Sequence, residues 1–232
     1  MNATLQRAQL PQVPGAEHVR ATLTPILWSI ADGTLRAGDE VRAPVLAARL
    51  RLGIPDVEDA IPRLAHLGLI QLPDKEYDED YDEEDAEDDD EPAVMTSFSR
   101  EQAIREVRGW AEVHLAMIST ASRLRGAKLR RMQRVRDAYA ERVAAGAPYA
   151  ALNLVFFGIL YEVTPNFGFR LATTSAAYRL RLSEDVLPQD PRKTTELHDA
   201  LLAALRSDDV MFGAELAIRT WSGALTGKPL GW

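Results

Sequence analysis

The residues with the clearest chemical character are the carboxylates of residues 74–91, where fourteen of eighteen side chains are acidic and one is basic. Carboxylates at this density attract cations and basic proteins. A calcium loop is one interpretation, yet no glycine stands where an EF-hand needs its sharp turn. Such a segment buries too little apolar area to offset chain entropy, so we expect it to be solvated and disordered. The rest of the chain holds 26 basic and 21 acidic side chains, so the acidity is confined to this acidic run.

Few other side chains suggest chemistry. The chain has no cysteine and four histidines, which excludes disulfides, thiolate nucleophiles and cysteine-based zinc sites. The sequence contains no glycine-rich phosphate loop, no Gly-x-Ser-x-Gly elbow and no His-Glu-x-x-His motif, so we predict that the protein is not an enzyme. No window has the hydropathy of a membrane span, and the N-terminus does not resemble a signal peptide. We therefore expect a cytoplasmic protein without a membrane partner.

The elements upstream of the acidic run form one group. After a flexible lead-in over residues 1–16, hydrophobic spacing and Gly/Pro punctuation predict helix, turn, helix, short break and helix, then a short strand. Thr24 is expected to cap the first helix, with Pro25 in its first turn, and whether residues 18–23 belong to the same helix stays open. This order is the outline of a winged helix-turn-helix domain, here over residues 17–73.

Downstream of the acidic run, hydrophobic periodicity predicts only helices. Ser99 and Gln102 form a capping box at the start of the first one. Further helices are expected near residues 126–144, 149–163, 168–183, 192–206 and 208–223. The predicted fold is therefore mainly α, with an N-terminal winged helix-turn-helix and a C-terminal all-α helical bundle. The bundle is assigned to residues 94–225, the acidic insert to residues 74–93 and a tail to residues 226–232.

Three runs in the upstream half share a family pattern. They are Ile30-x-x-Gly33-x-Leu35-x-x-Gly38, Leu46-Ala47-x-x-Leu50 and Val57-x-x-Ala60-Ile61-x-Arg63-Leu64-x-x-x-Gly68-Leu69-Ile70. Together they resemble the DNA-binding domain of the GntR family of bacterial regulators, without a gap over residues 30–70. Most of these letters are core and turn positions, so the resemblance bears on the fold more than on the activity.

The downstream half shows a second pattern. Its runs are Arg105-x-x-Arg108-x-x-x-Glu112, then Phe156 and Asn166, then Glu196-x-His198-x-x-Leu201-Leu202-x-Ala204-x-x-x-Asp208-Asp209. They resemble the FCD effector domain of the FadR-like branch of GntR proteins. The resemblance implies a homodimeric transcription regulator that binds DNA through its first domain and a small-molecule effector through its second.

The predicted DNA-reading helix departs from the family pattern. GntR proteins have approximately Gly-Val-Ser-Arg-Thr-Pro-Val-Arg-Glu-Ala-Leu there, whereas residues 51–61 read Arg-Leu-Gly-Ile-Pro-Asp-Val-Glu-Asp-Ala-Ile. Donors to phosphates and bases are missing, and Asp56, Glu58 and Asp59 place carboxylates where phosphates would lie. We therefore expect this surface to repel DNA, which argues against sequence-specific reading through the standard contacts.

Residual DNA binding would use basic side chains in or beside the helix-turn-helix. Four arginines could hold phosphates non-specifically, and the competing interpretation is that they are ordinary solvated side chains. The four predicted DNA-binding residues are Arg42, Arg49, Arg51 and Arg63.

The acidic run takes the place of the family's two-stranded wing. Three interpretations stay open at this point. It is a solvated insert without a role, a calcium loop, or a segment that switches off or replaces DNA binding. In the last case it acts in cis as a phosphate mimic or in trans as a docking tail for a basic protein partner.

Many FCD domains hold a divalent metal with one Asp and three His. The family signature Asp-x-x-Phe-His corresponds here to Asn153-Leu-Val-Phe156-Phe157, and the other two ligand positions fall on His198 and Thr220. One imidazole of four ligands does not hold a transition metal at useful affinity, so we predict no metal and no cofactor. His198 is then expected to act as a capping or pocket-lining residue.

The resemblance also implies a pocket in the helical domain that is faced by Arg108 and Glu112. Arg108 would pair with an anionic ligand, or the two residues would form a buried ion pair that holds helices in register. With Asn153 and His198 they complete the predicted ligand-binding set. His114, on the apolar face of its helix, is expected to be a hydrogen-bonded core residue.

Two functions follow from the sequence. The first is a GntR/FadR-like transcription regulator, homodimeric through its helical domain, with an atypical acidic reading helix and wing. The second is a degenerate regulator that does not read DNA specifically and acts by protein contact through residues 74–91.

Overall fold

The computed structural model describes residues 20–73, 91–121, 124–207 and 209–227. The lead-in predicted for residues 1–16, the acidic run apart from Glu91, and most of the predicted tail lie outside these described residues.

Within the described residues, the first domain has three helices and a small sheet. The helices are α1 (Arg20–Ala31), α2 (Ala43–Leu50) and α3 (Ile54–His66), and the strands are β1 (Glu40–Val41), β2 (Ile70–Gln71) and β3 (Ala93–Met95). The strand order is β1-β3-β2. Both pairs are antiparallel, with Ile70 opposite Met95 and Glu40 opposite Val94. The helices and the sheet give the winged helix-turn-helix architecture predicted from the sequence.

Strand β3 was not predicted, because only helices were expected after the acidic run. Ala93 and Met95 are buried and Val94 between them is half-buried, which is the alternation of a strand with one covered face. The amide of Thr96 extends the ladder by donating to the Leu69 carbonyl at 3.0 Å. The central strand of the sheet therefore follows the acidic run in sequence, and the run connects the two strands of the wing.

Helix α1 begins earlier than the capping pattern predicted. It starts at Arg20, so Pro25 lies inside the helix and Thr24 is not its N-cap. The additional turn buries Leu23, which is 2% exposed. Burial of this leucine compensates for the backbone hydrogen bond that proline removes.

The second domain is a helical bundle, as predicted. Its helices are α4 (Arg100–Ala121), α5 (Ala127–Ala144), α6 (Ala150–Tyr161), α7 (Phe167–Leu182), α8 (Pro191–Ala204) and α9 (Val210–Thr226), with a 3-10 turn at Ser183–Asp185 after α7. The capping box is present, since the Ser99 amide donates to Gln102 Oε1 at 2.7 Å and the Gln102 amide to Ser99 Oγ at 3.2 Å. Asn166 caps α7 in a similar way, as its side chain accepts from the Phe169 amide.

Helix α6 is the centre of the bundle. Residues 154–161 are all buried, so the helix is covered on every side, which is typical of a helix inside a core. It packs against α5 and α7, while α4 packs against α7 and α9. In the described part of the chain, no helix is long and apolar enough to cross a membrane.

Helix α7 joins the two domains. It packs against α1, and Ser175 Oγ donates to the Leu67 carbonyl at 2.7 Å. Near its end, Arg181 Nε donates to the Ala31 carbonyl at 3.2 Å. The ends of α1 and α3 are thereby bonded to one helix of the bundle.

Candidate functional site

The helix-turn-helix is formed by α2 and α3. Arg51 ends α2 in the left-handed conformation, with φ 57° and ψ 46°, and its amide donates to the Ala47 carbonyl. It is the one non-glycine residue with positive φ in the described part of the chain. Glycine usually occupies such a position. The sharp reversal lets α3 begin at Ile54, with Pro55 in its first turn.

The exposed surface of α3 is acidic. Asp56, Glu58 and Asp59 are all exposed, whereas Val57, Ala60 and Leu64 are buried. The apolar side of α3 therefore faces the domain core, and the three carboxylates face solvent. A surface of this charge opposes the close approach of phosphates.

Apolar side chains are also exposed near the starts of the two helices. Val45 on α2 is 63% exposed and Ile54 at the first position of α3 is 44% exposed. Neither side chain can donate a hydrogen bond to a phosphate or a base. The surface that would read DNA thus combines carboxylates with exposed aliphatic groups.

The four arginines predicted to contact DNA are spread over the ends of the helices. Arg42 precedes α2 and pairs with Glu40, Nε to Oε2, at 3.3 Å. Arg49 Nη2 donates to the Thr34 carbonyl at 2.7 Å. Arg51 is exposed in the turn, and Arg63 is half-buried in the last turn of α3. Arg42 and Arg49 therefore already have acceptors within the domain itself.

The helical core contains a hydrogen-bonded amide and imidazole. Asn153 on α6 and His198 on α8 are joined between Oδ1 and Nε2 at 2.9 Å. His198 is fully buried and stacks on Phe156 with ring centroids 3.9 Å apart. Burial, assisted by the nearby charge of Arg136, lowers the pKa of His198 from 6.5 to about 3. The ring is therefore neutral at physiological pH, and its Nε2–H donates to the Asn153 carbonyl oxygen.

A second buried histidine lies on α4, as expected for a core residue. His114 Nδ1 lies 2.7 Å from the Trp110 carbonyl oxygen and Nε2 lies 2.6 Å from the Tyr161 hydroxyl. Its ring stacks on Trp110 at 4.0 Å. Burial lowers its pKa from 6.5 to about 3. Since both ring nitrogens have partners, His114 is a structural residue in this core.

The cavity beside Asn153 is small. Its lining includes Trp110, Phe157, Arg181 and Glu184, and its volume is about 10 Å³. This is roughly the space that one water molecule needs. The aromatic side chains therefore fill the part of the bundle where a larger effector pocket was expected.

Arg108 and Glu112 lie on α4, whereas Asn153 and His198 lie on α6 and α8. Arg108 is half-buried and Glu112 is exposed on α4. They do not line the cavity beside Asn153, and no salt bridge joins them in the described coordinates. A buried Arg108–Glu112 ion pair, one of the two expectations, is therefore wrong.

The positions compared with a metal site differ in exposure. Thr220 is exposed on α9, whereas His198 is buried on α8. Among the described residues, no group of three or more His, Cys, Asp or Glu side chains has an arrangement that could hold a metal ion.

Sequence reasoning missed the polar groups at the end of α7. Arg181 Nη1 donates to Glu184 Oε2 at 2.8 Å, and Gln189 Nε2 donates to Glu184 Oε1 at 2.9 Å. Burial is the main cause that raises the pKa of Glu184 from 4.5 to about 7. Two residues before Arg181, Arg179 Nε donates to Glu106 Oε2 at 2.9 Å. The i,i+3 spacing of Arg181 and Glu184 was a local signal for one of these pairs, whereas the pairing of Arg179 with Glu106 joins residues 73 positions apart.

Comparison with known proteins places these observations in a family. Residues 103–220 match the FCD domain. Escherichia coli McbR/YncC has a similar fold, with a TM-score of 0.66 and 16% identity over 92% of this chain and 95% of that one. A protein described as transcriptional regulator GntR from Rhodococcus sp. RHA1 gives a TM-score of 0.61 and 15% identity over 90% and 96% of the two chains. A sequence comparison with curated proteins gives no significant match.

Proposed function

Since this chain is a GntR-family transcription regulator with an FCD domain, a non-enzymatic class of protein, we propose that it is a cytoplasmic homodimer. We further propose that its DNA-reading helix and wing are atypical. Its control of transcription then does not depend on the standard base contacts of α3. The observation that carries this proposal is the exposed acidic side of α3, formed by Asp56, Glu58 and Asp59.

The charge of the first domain supports this proposal. Residues 20–73 contain six arginines and six acidic side chains, so the domain has no net positive charge. DNA-binding domains gain most of their affinity from Lys and Arg that neutralise phosphates. The arginines predicted to contact DNA therefore act within a domain whose carboxylates balance its cations, and DNA affinity should be weak and sensitive to salt.

The position of the acidic run supports the same conclusion. β2 and β3 pair as the two strands of the wing, and the run connects them in sequence. Fourteen carboxylates in the segment that connects these strands oppose DNA docking and favour a basic protein partner. A degenerate regulator that acts by protein contact through residues 74–91 is the second candidate function, favoured by the exposed Val45 and Ile54.

DNA binding by the intact protein and by a variant lacking residues 74–91 separates these candidates. Genome-wide DNA capture followed by mobility shift is the measurement. Saturable, sequence-selective binding by the intact protein would contradict the protein-contact function. Binding that is seen only after the deletion would identify the acidic run as autoinhibitory. If neither protein binds, the DNA-reading function is wrong.

Asn153 and His198 are assigned a structural role in the helical core. Their hydrogen bond and the stacking of His198 on Phe156 occupy the region beside the cavity. Elemental analysis of purified protein tests the accompanying proposal that no resident metal is bound. One transition metal ion per chain would contradict it.

A further inference from the structure

We propose that the cleft between the two domains binds a small zwitterion of the α-amino acid class. A cavity of about 140 Å³ lies there, between the turn that follows α1 and the end of α7. An engineered protein cavity of about 150 Å³ holds benzene, which has about six non-hydrogen atoms. Alanine has the same number of non-hydrogen atoms, so the cleft accommodates a ligand of this size.

The floor of the cleft rests on three buried aliphatic side chains, and its accessible surface is mainly polar. Ile30, Leu35 and Leu182 line it, and they are 1%, 3% and 4% exposed. Two of them come from the first domain and one from the bundle. Because these side chains are almost fully covered, the surface that a ligand meets here is mainly polar, which suits a small ligand with charged groups and a short side chain.

Charges of both signs surround this floor. Arg36 and Arg181 are the cations, and Asp32 and Asp185 are the anions. Across the described coordinates, no salt bridge joins either arginine to either aspartate. Two opposite charges that stay apart are complementary to a ligand that carries both an anionic and a cationic group.

The hydrogen bonds already present leave capacity for such a ligand. Asp32 Oδ1 accepts from the Thr34 amide at 2.9 Å, and Arg36 Nε donates to the Gly33 carbonyl at 3.1 Å. A guanidinium has five N–H donors and a carboxylate has several lone pairs. The ligand carboxylate therefore binds the guanidinium groups, and its ammonium group binds the aspartates.

Gly33 makes the close approach of the two domains sterically acceptable. Its φ is +79°, and a Cβ atom at this position would lie 2.7 Å from Arg181 Nη2. Glycine therefore allows the positive φ of the turn and also leaves room for the Arg181 guanidinium. The cleft depends on this turn of the first domain and on α7 of the second.

A ligand in this cleft would contact the link between the domains directly. Arg181 donates to the Ala31 carbonyl at the end of α1 and to Glu184 in the bundle. A carboxylate that binds the remaining donors of this guanidinium adds a partner to the residue that links the domains, so occupancy changes the contact between them. The inference rests on the proposed regulator for its biological meaning and supplies an effector class, since the cavity beside Asn153 has a volume of only about 10 Å³.

Isothermal titration calorimetry of the full chain, without DNA, tests the proposal. The probes are L-alanine, acetate and ethylammonium, which present both charges, the anion alone and the cation alone. We expect L-alanine to bind at least about tenfold more tightly than either single-charge probe, because each charge-assisted hydrogen bond contributes to affinity. Because DNA is omitted, failure of this test is distinct from failure of the DNA-binding test.

Matched variants locate the site. Arg36→Gln and Asp185→Asn should each weaken L-alanine binding about tenfold or more. Arg105→Gln and Glu141→Gln remove exposed charges elsewhere in the chain and should leave binding unchanged. No L-alanine binding at millimolar concentration, acetate binding equal to that of L-alanine, or equal losses in the control variants would each overturn the proposal.

Discussion

The exposed side of α3 and the helical core differ in how strongly packing constrains their side chains. Asp56, Glu58 and Asp59 on α3 are exposed, so their charge is independent of the packing beneath them. Phe156 and Phe157 on α6 are 0% and 3% exposed and contact several aromatic rings. A surface can therefore change its charge while the fold persists, whereas a core can change only together with its neighbours.

The largest loss of stability is expected for Phe156→Ala. It removes the ring stacked on His198 at 3.9 Å and should lower the free energy of unfolding by about 3–5 kcal/mol. Phe212, which is 62% exposed on α9, provides the control, and Phe212→Ala should cost less than about 1 kcal/mol. Urea denaturation followed by circular dichroism measures both variants. Equal losses would show that the region around His198 is not packed as a core.

Acid titration of stability tests the buried histidines. Because the pKa of His198 is lowered from 6.5 to about 3, the unfolded chain binds its proton first, and stability falls as pH decreases from about 6.5 toward 3. The loss amounts to about 2 kcal/mol for this histidine between pH 6 and pH 4. Glu184, with a pKa raised to about 7, acts in the opposite direction, since protonation favours the folded state. Comparison of the wild type with a variant that lacks only His198 therefore separates the contribution of this histidine to the pH dependence of stability from that of Glu184.

His198→Gln should be less sensitive to acid than the wild type, with a loss smaller by about 2 kcal/mol over the same pH range. His66→Gln replaces an exposed histidine of α3 and should follow the wild type. NMR titration of the wild-type imidazoles provides a second measurement. An apparent pKa near 6.5 for His198 would contradict its burial as a neutral ring.

Ser175→Ala tests the contact between the two regions. It removes the hydrogen bond from Ser175 Oγ to the Leu67 carbonyl, 2.7 Å long, and should cost about 1 kcal/mol. Ser207→Ala is the matched control, because the Ser207 hydroxyl donates to the Ala204 carbonyl within the bundle and not across the domains. Hydrogen exchange should accelerate in the last turn of α3 of the Ser175 variant and stay unchanged there in the control. Unchanged exchange in both variants would show that the Ser175 bond does not hold the domains together.

The smallest effect on stability is expected for the charge reversal Glu58→Arg with Asp59→Arg. Both side chains are exposed, so the free energy of unfolding should change by less than about 0.5 kcal/mol per residue. Non-specific DNA affinity should rise and become more dependent on salt, because two new cations release counterions from phosphates. Glu141→Arg on α5 adds half of this positive charge away from α3 and should raise DNA affinity by much less than half as much. Unchanged affinity in a fluorescence anisotropy titration would show that this side of α3 does not face DNA.

Local patterns predicted the helices of the bundle well. Helix α5 was expected near residues 126–144 and runs over Ala127–Ala144, and α7 was expected near residues 168–183 and runs over Phe167–Leu182. The hydrophobic periodicity, the prolines and the capping residues that mark a helix lie within or next to its own segment. These helices can therefore be recognised without knowledge of distant contacts. In the first domain, the start of α1 was not predicted, because burial of Leu23 outweighed the tendency of Pro25 to lie in the first turn of a helix.

Strand β3 could not be recognised in this way. It has three residues, and its stability comes from pairing with β1 and β2, which lie far upstream in the chain. Strands this short have little intrinsic preference of their own, and packing on the sheet decides them. The wing was therefore placed correctly in the chain, while its second strand was missed.

The candidate sites also differ in how much of each could be predicted from the sequence. The acidic character of α3 is a property of consecutive residues, and only their exposure had to come from the fold. The pairing of Asn153 with His198 joins residues 45 positions apart. Arg108 and Glu112 are one helical turn apart on α4, and they do not line the cavity beside that pair.

The amino-acid sequence alone determined the family, the succession of helices and the local charge of the acidic run, because each is a property of neighbouring residues. Tertiary structure decided which polar groups meet. Arg181 contacts Ala31, 150 positions away, and the cleft between the domains exists only because of that approach. The physical reason is that hydrogen bonds and cavities depend on distances of a few ångströms between segments, which packing sets and sequence separation does not.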